Sequence, residues 1–456
     1  MLKKPTILVF ALLVMTLVIS VTAFAGGQSE TPGVVQENAI RIGQLGPTTG
    51  AFASFGTESR QGVMLALEEH GYQVAGRPIQ LFSEDTMANV EEMTTRLESL
   101  KQRDRVSMII GPVLGGEGMA ALEWAARNPD MPMMIAYSAP EDITMRRALP
   151  NVMRAGWTAP QTVFNFGRFV AQEQGYRRVI IVGQDYSYPW DIASGFIRGF
   201  IENGGEEVHR IWHDLQATDF SSIMAQLREL SGEYDAVMIN SGGAQNTNFI
   251  EQWFDFGMDE IYPPLLGQPN TAITFELRNL GDLLLGMYSS HFYYDGNESP
   301  KNTEFRRKFR EAYGYYPSIV AVQGYDSMNV LIKAIEALGG DVSNPNAVIA
   351  AIRNVRIADN ESPRGAFHFD EFGNAVQSIY IKQVVRRGNE LVNIAHKSYA
   401  NVSQFGPYEG MEDTYMALPA NSRNYPPGTR AEYFAELEKV FGADYIRQLN
   451  SNGGWR

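Results

Sequence analysis

The chain reads as an α/β protein built from two successive doubly wound, Rossmann-like units. Three observations carry this reading. Short apolar runs alternate with helix-length amphipathic segments, the alternation passes through two sets of such units, and 456 residues suit two domains better than one. Parallel strands need long crossovers, so this order predicts open sheets covered by helices.

The N-terminus precedes the fold. Lys3 and Lys4 form a positive start, residues 7–21 are a nearly unbroken apolar run, and Ala23-Phe24-Ala25 is a small-x-small cleavage pattern. Residues 1–25 therefore read as a cleavable signal peptide, which sends the mature chain out of the cytoplasm. The apolar run is shorter than the roughly 20 residues needed to span a bilayer. Residues 26–38 are a polar linker. The chain has no cysteine, which excludes disulfides, thiolate metal sites, cysteine nucleophiles and a lipid anchor on an N-terminal cysteine. Its composition is 44% hydrophobic and 20% charged, with a net charge of −14. Removing the signal takes away two lysines and no acid. Such an acidic surface, without a long Lys/Arg cluster, argues against nucleic acid or an anionic membrane as partner.

Apolar runs at 40–45, 79–84, 106–111 and 131–137 predict the strands of the first unit, with helices at 57–71, 90–103 and 116–127 between them. A junction falls at 154–160. The second unit follows with strands at 178–182, 207–213, 236–240 and 262–266 and helices at 160–175, 190–204 and 220–231. A further strand begins at 287–292, and 302–314 and 321–339 show helical periodicity. Strands at 365–369, 378–385 and 391–395 look antiparallel, because residues 370–374 form a hairpin turn in which Gly373 can take positive φ. Residues 399–427, rich in Asn, Pro, Gly and Tyr, predict an irregular extension. Thr429 and Glu432 then form a capping-box pair, and Phe434, Leu437, Phe441, Tyr445 and Leu449 define a terminal amphipathic helix that packs on a lobe.

Signatures of catalysis are sparse. The chain has no Gly-x-Ser-x-Gly elbow, no P-loop and no His-Glu-x-x-His. Gly111, Gly115, Gly116 and Gly118 follow a strand and open a helix, but their spacing departs from the dinucleotide fingerprint. A helix start with unobstructed N–H groups suits an anion such as a ligand carboxylate, and a plain packing loop is the competing reading. His209 and His213 lie on a predicted strand, where four residues separate the imidazoles by about 13 Å, too far for one metal ion. Aromatic residues concentrate where open α/β sheets place ligands, at the carboxyl ends of strands: Phe52, Phe55, Tyr137, Tyr186, Tyr188 and Trp190. Several such residues together predict a pocket between two lobes.

At these residues the chain resembles the type I periplasmic solute-binding proteins of ABC transporters, in the branch that includes leucine/isoleucine/valine-binding proteins. The likeness spans about residues 39–396. It rests on Ile42-Gly43 through Gly50 with Gly56 and Gly62, on Asp85, on Ile110-Gly111-Pro112, on residues 185–190, on Gly324-Tyr325-Asp326 and on the Phe369-Asp370-Glu371-x-Gly373 turn. The resemblance implies one lobe of residues 39–156 plus 290–368 and a second of 157–289 plus 369–398, followed by the 399–456 extension. A three-segment hinge would run near 155–158, 286–290 and 367–372. Carried onto this sequence, the ligand-binding positions are Phe55, Leu114, Gly115, Gly116, Tyr137, Ser138, Ala139, Tyr188, Gly243 and Gln268. Replacing Phe55 or Tyr188 by Ala is then expected to weaken binding with little change in folding.

Two departures bear on the ligand. The loop that meets the carboxylate usually carries serines, whereas Leu114-Gly115-Gly116-Glu117 offers only backbone donors. The acid that pairs with a ligand ammonium would fall in Gly267-Gln268-Pro269-Asn270, which has none, and a buried ammonium needs a counter-charge or several acceptors: Gln268 is a weak acceptor there, and Glu117 or Asp185 would have to supply the charge from elsewhere. The expected function is capture of a branched-chain amino acid or a related amide, urea or carboxylate for delivery to a permease. The chain would act as a monomer, without chemistry, cofactor or metal. The competing readings are a sensor that docks on a membrane receptor and an exported α/β enzyme with Asp185 and Glu117 as acid and base.

Overall fold

The computed structural model describes residues 38–455. Residues 1–25, expected to be a signal peptide, and all of the expected linker except residue 38 lie outside the described residues. No described helix is long and apolar enough to cross a membrane.

The first unit runs β1 (Ile40–Gly46), α1 (Ala53–Glu69), β2 (Gln73–Val74), β3 (Arg77–Asp85), α2 (Val90–Gln102), β4 (Met108–Ile110), α3 (Gly115–Arg127), β5 (Met133–Ile135) and β6 (Val152–Arg154). Its sheet has the order β2-β3-β1-β4-β5-β6 and is parallel except for the short β2–β3 pair. β1 is buried at six of seven positions, as a central strand covered on both faces requires. β6 was not expected, because Arg154 reads as polar. Its guanidinium is fully buried yet donates to the carbonyls of Ser138 (3.1 Å) and Pro140 (2.9 Å) and to Asn374 Oδ1 (2.8 Å).

The second unit runs α4 (Ala159–Gln172), β7 (Arg178–Gln184), α5 (Ser187–Ile201), β8 (Glu207–His213), α6 (Ser221–Glu229), β9 (Ala236–Asn240), α7 (Ala244–Asp255), β10 (Leu266–Gly267) and α8 (Thr274–Leu280). Its all-parallel sheet has the order β10-β9-β7-β8. The strand expected at 262–266 shrinks to β10, because Pro263 and Pro264 lack the N–H a ladder needs. α5 starts at Ser187, so Tyr188 and Trp190 lie on its first turn and not in a loop. α7 escaped sequence reading behind its polar start, although Phe249, Ile250 and Trp253 share a buried face.

The chain then forms β11 (Tyr288–His291), α9 (Pro300–Tyr313), α10 (Ile319–Ala337), α11 (Pro345–Arg353), β12 (Arg356–Ile357), β13 (Phe367–Phe369), β14 (Ala375–Arg387) and β15 (Glu390–Val402). The strands make an antiparallel sheet, β11-β14-β13-β12, with β15 on β14. The 370–374 turn forms as expected: Gly373 has φ 89°, and Asp370 Oδ1 accepts the N–H groups of Phe372 and Asn374. α10 packs on α1 at backbone contact, since a Cβ on Gly62 would lie 1.9 Å from the Ala321 carbonyl oxygen. The chain around 155–158 and that around 367–372, two of the three expected crossings, lie close together. Arg154 N–H donates to the Gly373 carbonyl (2.8 Å), and Arg364 reaches the Ala155 carbonyl.

The extension begins later than expected, because β15 continues to Val402, and it is more ordered. It contains α12 (Glu412–Met416) and α13 (Arg430–Asn452), the latter broken at Gly442 with φ 80°. Thr429 and Glu432 meet side chain to side chain at 2.8 Å without a side-chain cap on the backbone. α13 buries Tyr433, Leu437 and Leu449, leaving Phe434, Phe441 and Tyr445 half-buried.

Candidate functional site

The carboxyl ends of β1, β4 and β5 face the start of α5 across a cavity of about 210 Å³. Parallel strands end on the same side of a sheet, which is why loops distant in sequence converge here. Six aromatic residues line the cavity: Phe52, Phe55, Tyr137, Trp157, Tyr186 and Tyr188. They are in mutual contact. Phe55 meets Tyr137 at 6.1 Å between ring centroids, Tyr137 meets Trp157 at 5.4 Å, and Trp157 stands edge-on to Tyr188 at 6.0 Å. Such tilted arrangements suit the ring quadrupoles.

A hydrogen-bond relay fixes the tyrosines from behind. Tyr188 donates to Gln268 Oε1 (2.7 Å), Asn270 Nδ2 donates to the Tyr188 hydroxyl (2.9 Å), and Tyr137 donates to Asn270 Oδ1 (2.7 Å). His291 Nδ1 accepts the Phe292 N–H, which puts the proton of a neutral imidazole on Nε2, 3.0 Å from the Tyr137 hydroxyl. Burial holds His291 well below its ordinary pKa, with Lys382 and Arg364 adding to the effect, so the ring stays neutral. Burial also pushes the phenols of Tyr137 and Tyr188 up, keeping both as hydroxyl donors.

Leu114, Gly115 and Gly116 enter the wall at the start of α3. Leu114 supplies no side-chain cap, so the first-turn N–H groups of α3 have no partner within the helix. A Cβ on Gly116 would meet nothing within 4 Å, so the backbone there faces open space. Among the lining residues the sole ionisable side chain other than tyrosine is Glu117, which is 2% exposed. Its Oε2 lies 3.4 Å from the Leu114 N–H, and its Oε1 has no hydrogen-bond partner within the protein. The nearby Thr86 hydroxyl favours the carboxylate and restrains the rise in its pKa without reaching bonding geometry. Burial pushes Glu117 up to about 7, with the negative charge of Asp85 adding to the rise. Trp157 Nε1 is a second buried polar atom on this wall without a protein partner.

Of the positions expected from sequence, Phe55, Leu114, Gly115, Gly116, Tyr137, Ala139 and Tyr188 line the cavity. Three do not. Ser138 turns its hydroxyl toward Gly118 of α3, because strand-end residues alternate faces and Tyr137 and Ala139 take the cavity side. Gly243 caps α7 in a positive-φ conformation and leaves the wall position to Gly242. Gln268 sits behind Tyr188, with Oε1 taken by the Tyr188 hydroxyl and the Asn270 N–H and Nε2 donating to the Ser241 carbonyl. It has no free acceptor for an ammonium. Phe55 is only 7% exposed and stands edge-on to Phe275 at 5.1 Å. Its replacement by Ala therefore affects folding too, by about 3–5 kcal/mol for a buried Phe, contrary to the sequence expectation.

Trp157 and Asn270 were not singled out by sequence. The signal for Trp157 was a large aromatic residue inside an expected crossover. The enzyme reading loses its pair, because Asp185 does not line the cavity: its carboxylate pairs with Arg423 of the tail (2.8 Å) and accepts from Trp190 (3.0 Å). Asp85 is a loop anchor, holding the Thr48 N–H (2.8 Å) and the Thr49 hydroxyl (2.7 Å). His213 bonds Ser241 Oγ (2.7 Å) while His209 lies against Tyr234, and no described cluster of ligating side chains could hold a metal ion.

A model of the periplasmic binding protein family matches residues 39–389. The Leu/Ile/Val-binding protein homolog 6 of Brucella melitensis biotype 1 is 28% identical over 76% of this chain and 88% of its own. Among solved structures, an ABC transporter substrate-binding protein from Sphaerobacter thermophilus superposes with a TM-score of 0.75 at 26% identity, covering 80% of this chain and 99% of that one. A solute-binding protein of an ABC transporter from Rhodopseudomonas palustris BisB5, in complex with 3,4-dihydroxybenzoic acid, gives a TM-score of 0.75 at 27% identity over 81% and 99%.

Proposed function

The chain belongs to the periplasmic binding protein family, and from that membership we propose that it is the solute-binding component of an ABC transporter that captures a small carboxylate with a compact apolar body. The carrying observation is the cavity itself. Six aromatic side chains surround it, no lysine, arginine or histidine lines it, and the amide end of α3 opens onto it. Aromatic faces suit an aliphatic or aromatic body, and helix-terminal N–H groups suit a carboxylate. The named relatives support the same class, since leucine, isoleucine, valine and dihydroxybenzoate all carry a carboxylate on an apolar frame. The ligand is held between two lobes, passed to a permease and released unchanged.

A thermal-shift screen of branched-chain amino acids, benzoates, aliphatic acids, amides and ureas tests this. Binding stabilises the folded state by about 2.7 kcal/mol when the ligand stands at a hundredfold over its Kd. At least one apolar carboxylate should raise the melting temperature, and its amide should not. Stabilisation by amides or ureas with none by any carboxylate would refute the ligand class. Conversion of a bound solute into a product would refute the binding role.

A further inference from the structure

We propose, resting on the ligand reading above, that Glu117 is the specificity-determining residue of the cavity and accepts an N–H or O–H that the ligand carries beside its carboxylate. The argument starts from an unmet requirement. A buried carboxylate without a counter-charge is costly, and buried polar atoms in folded proteins almost always have partners. Glu117 is 2% exposed, has no ion pair among the described residues and leaves Oε1 unbonded, with the buried Thr86 hydroxyl near it but outside bonding geometry. It is also the sole carboxyl group on a wall of aromatic rings.

Its position says where the missing donor must be. Glu117 sits on the first turn of α3, with Oε2 against the Leu114 N–H. The turn that offers amide donors to a ligand carboxylate thus places a second carboxyl group beside it. Two ionised carboxylates on this turn repel, so either Glu117 keeps its proton or a donor from the ligand lies between them. A 2-amino or 2-hydroxy acid supplies that donor on the carbon next to its own carboxylate. A simple acid has nothing to offer Oε1, and a ring hydroxyl far from the carboxylate lies too distant from this turn. The acid missing from residues 267–270 is replaced by one on the opposite wall. Gln268, the sequence candidate for the acceptor, is already saturated.

Calorimetric titrations with matched probes test this: leucine, 2-hydroxy-4-methylpentanoate and 4-methylpentanoate, then phenylalanine, 3-phenyllactate and 3-phenylpropanoate. In the wild type the donor-bearing acids of at least one series should bind about 10- to 100-fold tighter than the donor-free acid, the range for a hydrogen bond to a charged group. In Glu117→Leu that preference should collapse to within about threefold. Glu117→Gln keeps the shape and an acceptor, so it guards against misfolding of the Leu variant. It should lose about tenfold for the amino acids and less for the hydroxy acids, because the amide carries no charge. Equal affinity across both series in the wild type, a full preference surviving in Glu117→Leu, or a full amino-acid preference surviving in Glu117→Gln would overturn the assignment. Tight binding of benzoate or 4-methylpentanoate, unaffected by either change, would overturn it while leaving the carboxylate reading intact. Failure of all six acids and of benzoate to bind would bring down both.

Discussion

Glu117 gathers the chemistry of the site into one side chain, and its titration has a consequence for stability. Its carboxyl titrates near 7 in the fold, against the ordinary glutamate value in the unfolded chain. Between those two values the folded state holds a proton that the unfolded state has released, so this group's contribution falls as pH rises. Glutamine carries no such penalty. Ligand-free Glu117→Gln and wild type should therefore have similar denaturation midpoints near pH 5, with the variant the more stable by roughly 1–3 kcal/mol at pH 8. Urea titrations at the two pH values measure this, and a constant difference would show that Glu117 is ionised throughout. The aromatic wall behaves differently at the same scale. Tyr137 and Tyr188 are fixed by Asn270 and Gln268, so the rings present a preset surface and lose little freedom on binding.

At the scale of elements, the tail is an integral part of the structure. Its hydroxyl and indole groups surround Glu202, the residue that caps the end of α5: Tyr408 and Tyr433 donate to Oε1, and Trp455 Nε1 donates to Oε2 at 2.7 Å. Burial pushes Glu202 up, and those donors together with Arg198 restrain the rise. The tail also reaches the segment before β6. Arg146 donates to the carbonyls of Met416 and Leu418, and Tyr415 donates to Glu141. On the other side Asn421 donates to Asp191 and Arg423 pairs with Asp185. Ending the chain at Ser403 removes the buried Tyr408, Tyr415, Leu418, Tyr433, Leu437 and Leu449. The truncated protein should melt at least about 5 °C below the full chain in calorimetry. Equal melting temperatures would make the tail a mere appendage.

At the scale of the whole molecule, binding between lobes moves a conformational equilibrium only by the difference in affinity for the two forms. Residues on both walls must therefore grip one ligand, and the bridge from Tyr137 to Asn270 already ties them. Arg154 ties the end of β5's loop to the 370–374 turn, bonded to the Ser138 and Pro140 carbonyls and to Asn374. Arg154→Met should cost roughly 2–5 kcal/mol, because it leaves buried acceptors unpaired, and should also weaken ligand binding through the displaced Ala139. An unchanged urea midpoint would contradict that role.

The order of parallel units was legible because a strand covered on both faces is apolar along its whole length, as in β1, β7 and β9. The 370–374 turn was legible because Asp370 and Gly373 carry its geometry locally. Phe55, Tyr137 and Tyr188 could be picked out because strand ends converge by topology alone. The sequence by itself therefore determined the fold class, the end of the sheets that holds the cavity and the absence of thiol chemistry. The tertiary structure alone decided which side chain at each strand end faces inward, that Gln268 is saturated, that Asp185 belongs to the tail and that Trp157 and Glu117 meet at one cavity. Those choices depend on partners as far as 80 residues away for Gln268 and 238 for Asp185, or on a rotation of one residue along a strand, and neither leaves a mark on local periodicity.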